Sequence, residues 1–391
     1  MLRRIPGHIF ELTKTASAES ICQGIPARRS SIIILTYDLT TSSLVIGYYV
    51  HHHGAGHLHR ALAVAAALDA PVTILSSLPR PPEWSQGWIR LPLDTDTDTD
   101  TDTDTSTATN TDPADPLAGG ALHWAPLHSA GLRARTAAIS SWIASTQPAV
   151  VVVDVSVEVA ATVRIHGIPV VTFAQPGDRI DRAHSLGYQL SSAVIAPWTS
   201  GMQPCRVDPS LELHFEHVGA ISRIAVPETI QRRTQKIAIL NGLGGRGDSA
   251  LDAVVSESMA TSPGLDWVRL EGATEATVAG TLREVSLVFA HCGQNAVAEI
   301  AACRVPAILV PEDRPHEEQR CLARALGTST LPVIISSPND GADRAANIVR
   351  GRALDGESWS LWVDGRAAER AAAVILRVAR HEQTPSQLVS S

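Results

Sequence analysis

The residues best equipped for chemistry gather in a few short segments. One reads Phe289-Ala-His-Cys-Gly-Gln-Asn-Ala-Val-Ala-Glu299, runs on to Pro311 and is followed by His316-Glu-Glu-Gln319. A strand ending at Ala290 and a helix opening near Asn295 leave the backbone N–H groups of His291 to Gln294 exposed, Gly293 among them, which suits an anion at a helix N-terminus. Glu299 lies four residues after Asn295 and so shares its helix face, where a carboxylate can accept hydrogen bonds from a diol. Glu318 and Gln319 follow the next strand and reach the same carboxyl edge, where open sheets bind ligands. Singly, Asn295 and Glu299 also fit an ordinary first helical turn, with a cap and a carboxylate favoured by the helix dipole. The joint spacing of five polar residues across two loops favours a site.

Upstream, Asn241-Gly-Leu-Gly-Gly-Arg-Gly247 follows a strand and opens a helix. Gly242, Gly244 and Gly247 match G-x-G-x-x-G, with Gly245 inside the loop, and Glu271 stands where a dinucleotide fold keeps its ribose-binding acid, so a nicotinamide enzyme is one reading. Five histidines, His51, His52, His53, His57 and His59, fall within nine positions. No Cys, Asp or Glu adjoins them in the chain, and Gly54 and Gly56 suit close backbone approach, so a metal site is not expected. Asp154 ends a strand after four valines, where it either acts at a site or caps the next helix. Gln175, Asp178, Arg179, Asp181 and His184 follow another strand, either facing a ligand or forming a solvated loop.

These segments need elements to hold them. Leu44 to Val50 reads as a strand, His51 to Gly56 as a turn and Leu58 to Leu68 as a helix. The alternation resumes with helices over Gly131–Ser145 and Val157–His166 and strands over Ala149–Val153, Pro169–Phe173, Ala193–Ala196 and Phe215–Val218. After a polar connection it restarts: strands at Ile237–Leu240, Trp267–Leu270, Leu287–Ala290 and Ala307–Val310, helices at Ser249–Met259, Ala296–Ala302, Glu317–Leu326 and Arg366–Ala379. Short apolar strands alternating with helices imply parallel sheets covered on both faces, here in two doubly wound α/β domains facing a cleft. The expected divisions are an irregular extension over 1–43, a first domain over 44–226 carrying a disordered Asp-Thr loop at 94–111, a linker over 227–235, and a second domain over 236–391.

Composition narrows the classes. The 391 residues are 44% hydrophobic and 18% charged, enough for a substantial core. Of the net charge of −8, six units come from the aspartates of the Asp-Thr alternation. The rest is near neutral, with no basic stripe to hold nucleic acid. The five scattered cysteines form neither a zinc ribbon nor a disulfide framework, which is consistent with reduced thiols and a cytoplasmic location. No apolar run approaches the roughly 20 residues that span a bilayer, leaving peripheral membrane contact open.

The His291 segment resembles the donor-binding motif of GT-B glycosyltransferases, both the family-one UDP-glycosyltransferases and the lipid-linked N-acetylglucosaminyltransferases of peptidoglycan synthesis. His291-Cys292-Gly293-x-Asn295 with Glu299 keeps the spacing of H-C-G-x-N-x-x-x-E, while Gln294 and Ala296 replace the usual aromatic and serine. The resemblance implies that His291 and Asn295 contact the diphosphate, Glu299 the ribose, and Glu318 with Gln319 the sugar hydroxyls, the loop at Gly242, Gly244 and Gly245 facing the phosphates. Gly56-His57-x-x-Arg60 is similar to the G-H element of the amino-terminal domains, which implies His57 as catalytic base and Asp154 as its partner. Gln175, Asp178, Arg179 and His184 would then face the acceptor. The expected activity is inverting transfer of a sugar from a nucleotide diphosphate, UDP above others, to a hydroxyl of a small-molecule or lipid-linked acceptor, with no metal or other cofactor. The alternatives are a nucleotide-sugar hydrolase or epimerase of this fold and a non-catalytic nucleotide-sugar-binding protein.

Overall fold

Aliphatic runs too short for helices, such as Val150–Val153 and Ile237–Leu240, become fully buried parallel strands. The computed structural model describes residues 44–52, 55–94, 115–212, 215–229, 234–241, 250–341 and 343–381. The 1–43 extension, nearly all of the Asp-Thr loop, and Gly242, Gly244 and Gly245 lie outside them. The first half contains β1 (Ile46–Val50), α1 (Gly56–Ala66), β2 (Val72–Ser76), β3 (Gly87–Arg90), α2 (Ala130–Thr146), β4 (Val150–Val153), α3 (Val157–Ile165), β5 (Val170–Phe173), β6 (Gly177–Asp178), α4 (Arg182–Leu190), β7 (Ala193–Ala196), β8 (Cys205–Arg206), α5 (Pro209–Glu212) and β9 (Phe215–His217). The second contains β10 (Ile237–Leu240), α6 (Ala250–Thr261), β11 (Trp267–Leu270), α7 (Glu275–Glu284), β12 (Leu287–His291), α8 (Gln294–Ala302), β13 (Ala307–Val310), α9 (Glu318–Gly327), β14 (Val333–Ile335), α10 (Arg344–Arg352) and α11 (Ala367–Ala379).

The seven-stranded sheet has the order β3-β2-β1-β4-β5-β7-β9 and the five-stranded sheet β11-β10-β12-β13-β14, with β6 and β8 paired separately. Both sheets reverse direction of winding beside their first strand, between β1 and β4 and between β10 and β12. Those reversals open crevices at the carboxyl ends of the strands. His57 follows β1 and Asp154 follows β4; Asn241 follows β10, and Gly293 with Asn295 follows β12.

Alternate residues feed the two faces of each sheet. Ile46, Tyr48 and Val50 pack with α1 and α11, while Tyr49, Val151 and Val153 pack with α2 and α3. In the second sheet, Ile237 and Ile239 meet α6 and α10, and Ala238 and Leu240 face α7 and α8. That last cluster continues through Trp198, Ala196 and Tyr188 of the first half, so one apolar core runs across the seam. The sequence reading assigns everything from 236 onward to the second unit, yet α11 packs with Ala371 and Ile375 fully buried in the core of the first sheet. β2, β3, β6, β8, β14, α4, α5, α7 and α10 are not among the elements expected from the sequence, and α1 and α8 each start two residues before their expected positions.

Candidate active site at the seam

A cavity of about 860 Å³ lies between the carboxyl edges of the two sheets, within the range of small-ligand sites. On its first-half wall, α1 begins at Gly56, where the chain passes close to the Asn295 side chain. A Cβ at Gly56 would collide with the side-chain amide of Asn295 on α8. Two helix N-termini therefore face each other across the seam, and the N-cap of α8 is Gly293, which offers no side-chain cap to the first amides.

His57 and Asp154, 97 residues apart in the chain, meet: Nδ1 lies 3.2 Å from Asp154 Oδ2. Asp154 is fully buried and His57 is 23% exposed at its side chain. Arg60, one helical turn after His57, completes the cluster. Its Nη2 donates to Asp154 Oδ1, its Nε donates to Asp154 Oδ2 at 3.3 Å, and its Nη1 reaches over the seam to Gln294 Oε1 at 3.1 Å. Burial alone would raise the Asp154 carboxyl, but the Arg60 and His57 charges outweigh it and hold the group below the ordinary carboxylate range. Arg60 Nη2 also lies 3.2 Å from His57 Nδ1. With Nδ1–H donating to Asp154, the guanidinium is bound by the carboxylate rather than by the imidazole, and Nε2 keeps its lone pair.

The opposite wall departs from the sequence expectation in detail. Glu299 is buried, and its Oε1 accepts from Arg223 Nε at 2.7 Å. Burial pushes the Glu299 carboxyl up despite Arg223. The same arginine lies 3.2 Å from His59 Nε2 and, after burial itself, helps push that imidazole down to about 4. Any ligand hydroxyl that reaches Glu299 must share it with Arg223. Gln319 does not offer its carbonyl to the cavity: Oε1 accepts from Cys292 N at 3.1 Å and Glu312 N at 3.0 Å, clipping the ends of β12 and β13 together. His291 likewise faces oxygens of the protein, with Nδ1 3.2 Å from Val310 O and Nε2 3.3 Å from Glu312 Oε1. Glu318 remains half-exposed on the cavity wall, 3.7 Å from Arg179 Nη2.

Of the residues expected to face an acceptor, Gln175, Arg179 and His184 line the cavity. Asp178 does not; it pairs with Arg206 at 2.9 Å beside the β6–β8 ladder. Gln175 Nε2 and Gln294 Nε2 are buried with no hydrogen-bond partner among the described residues, and both side chains line the cavity. Buried amides left unmade are costly, so these two are natural places for ligand oxygens. Glu271, the acid a dinucleotide site needs, is exposed and outside the cavity lining. His52 Nε2 does find a carboxylate, Asp94 Oδ1 at 3.9 Å, brought from the far end of β3's loop rather than from the adjacent chain. Arg60 and Arg223 carry no expected role in the sequence; only the i, i+3 spacing of His57 and Arg60 signals a shared face.

No protein-family model matches the chain, and no curated protein matches it. Solved structures do. The glycotransferase of kitacinnamycin superposes with a TM-score of 0.57 at 15% identity, covering 86% of this chain and 99% of its own. MurG of Acinetobacter baumannii gives 0.54 at 15%, covering 85% and 99%. The chain has the GT-B fold. A third GT-B neighbour, a UDP-glucosyltransferase from Polygonum tinctorium, gives 0.52 at 16% identity over 87% and 98% of the two chains. In this GT-B chain no helix among the described residues is long and apolar enough to cross a membrane.

Proposed function

We propose that the protein is an inverting glycosyltransferase that moves a sugar from a nucleotide diphosphate, UDP in the first instance, to a hydroxyl acceptor. The observation that carries this reading is the His57–Asp154 contact at the winding reversal of the first sheet, set opposite Asn295 at the uncapped start of α8. His57 Nε2 takes the acceptor proton as the acceptor oxygen bonds to the anomeric carbon, and the bond from that carbon to the diphosphate oxygen breaks on the opposite face. Asp154 holds the imidazole tautomer and stabilises the imidazolium. The departing diphosphate is stabilised by the free amides of Gly293 to Asn295, with Glu299 toward the ribose and Glu318 toward the sugar. The half carried by β1–β9 serves the acceptor, and the half carried by β10–β14 serves the donor.

Release of nucleotide diphosphate from several UDP-sugars, measured with donor alone and with a panel of acceptors, tests the reading. Turnover that requires an acceptor and falls roughly 10² to 10⁴ in His57→Ala, with donor affinity kept within a few-fold, is the expected result. Equal turnover without acceptor marks a hydrolase, and binding without turnover marks a nucleotide-sugar-binding protein.

A further inference from the structure

A second cluster of histidines lies on the cavity wall and takes no part in the proposed transfer. His123 precedes α2, His184 sits in the first turn of α4, and His316 stands in the turn Pro315–Glu317 after β13, in the other half of the molecule. Their rings converge. Centroids are 4.3 Å apart for His123 and His184, 4.6 Å for His184 and His316, and 5.9 Å for His123 and His316. One nitrogen from each lies within 4.8 Å of the other two. The carboxylate of Asp181, the N-cap of α4, touches all three: 2.5 Å from His184 Nδ1, 3.7 Å from His123 Nε2 and 3.8 Å from His316 Nδ1.

We infer that His123, His184, His316 and Asp181 form a binding site for one divalent transition-metal ion, zinc or a metal of similar preference, that ties the loop after β13 to the first half of the molecule. Imidazole nitrogens with one carboxylate oxygen are the ligands such ions favour. Bonds of about 2.0–2.1 Å in a tetrahedron set ligand atoms roughly 3.3 Å apart. The spacings within the cluster, from 2.5 Å to at most 4.8 Å, bracket that figure.

Two features prepare it. The Asp181 carboxylate already holds the His184 ring by Nδ1, so one imidazole is fixed in the cluster before an ion arrives. The backbone also holds His316 where it is needed. His316 and Glu317 both sit at positive φ, 57° and 53°, an uncommon pairing without glycine. A Cβ on Gly177 (φ 116°) would lie 2.5 Å from His316 O, so that glycine admits the loop against β6.

Binding asks one rearrangement. Without metal, His184 Nδ1–H donates to Asp181 and Nε2 accepts from Arg179 Nη1 at 2.9 Å. Coordination through Nδ1 moves the ring proton to Nε2, so Arg179 must release that nitrogen. Its Nε and Nη2 already donate to Pro176 O, and Glu318 lies 3.7 Å from Nη2, so the guanidinium keeps partners when it turns.

The test titrates the chelator-treated full-length chain with Co²⁺, following visible absorption, and then displaces it with Zn²⁺. One equivalent with the intense bands of a tetrahedral site is expected. His316→Ala and His123→Ala should each weaken binding at least about tenfold, since even the outer partners of metal ligands are worth that much. His52→Ala, in the separate His51–His52–Asp94 group, should leave it unchanged. Because an ion that binds only the folded state raises the melting temperature, Zn²⁺ should stabilise the wild type and not His316→Ala. Millimolar or weaker affinity overturns the proposal, as does binding that survives His316→Ala or is lost in His52→Ala.

Discussion

Arg60→Met isolates the Arg60–Asp154 pair. Both side chains are almost wholly buried, at 2% and 0% exposure, and among the described residues the Asp154 carboxylate retains only His57 once the guanidinium is gone. Methionine keeps the aliphatic stem but gives up the guanidinium's place over the Phe173 ring, a cation–π contact of about 1–2 kcal/mol. Removing one member of a buried ion pair leaves the other charge uncompensated, at a cost of about 3–5 kcal/mol. The Asp154 carboxyl is depressed in the folded protein. Its contribution is therefore complete above its unfolded value of about 3.9 and is lost as pH falls through the lower folded value. The loss in Arg60→Met should accordingly be largest near pH 7 and shrink below about pH 4. Adding Asp154→Asn to Arg60→Met should recover part of it, since a neutral amide removes the orphaned charge. Urea denaturation followed by tryptophan fluorescence, at pH 7 and at about pH 3 for the wild type and both variants, gives the numbers. A cost under about 1 kcal/mol at pH 7, or one that grows in acid, would show that Asp154 is not held as a buried anion by Arg60.

Gly56→Ala should displace the Asn295 amide from the seam, lowering turnover or donor affinity about tenfold or more while melting shifts little, because the atom struck is a side-chain end; kinetics with a full donor titration reads this, and unchanged kinetics would place the donor away from α8. Glu299→Gln removes the charged partner of Arg223 and a charge-assisted acceptor, so calorimetry should show donor binding weakened by about 1–3 kcal/mol, and an unchanged affinity would exclude Glu299 from the ribose.

Strands whose two faces are both buried announce themselves in the sequence, because nothing polar interrupts them: β7, β10 and β13 are legible residue for residue. Half-buried pieces are not. Gly87–Arg90 and Val333–Ile335, both at sheet edges, are only partly buried, and the helices Arg182–Leu190 and Arg344–Arg352 are polar enough to pass for loops until packing selects their apolar stripe. At the site, the meeting of His57 with Asp154 follows from strand order, since each comes soon after a strand at the same reversal. Arg223 on Glu299, or His316 beside His184, depends on how the halves close, and no local pattern encodes a contact between segments 76 or 132 residues apart. Gln319 shows the opposite limit: its position is legible, but its carbonyl is spent on two backbone amides that only the fold reveals.

The packing of α11 on the first sheet also sets a schedule for biosynthesis. The strands of that sheet are complete once His217 has been made, yet the apolar face formed by Ile46, Tyr48 and Val64 lacks its last cover until Ala367–Ala379 leaves the ribosome. At the usual pace of translation that interval is on the order of ten seconds, long compared with hydrophobic collapse. Through that interval the nascent chain carries an open greasy groove beside a finished parallel sheet, so its early vulnerability lies in the first half and ends only when the final helix docks.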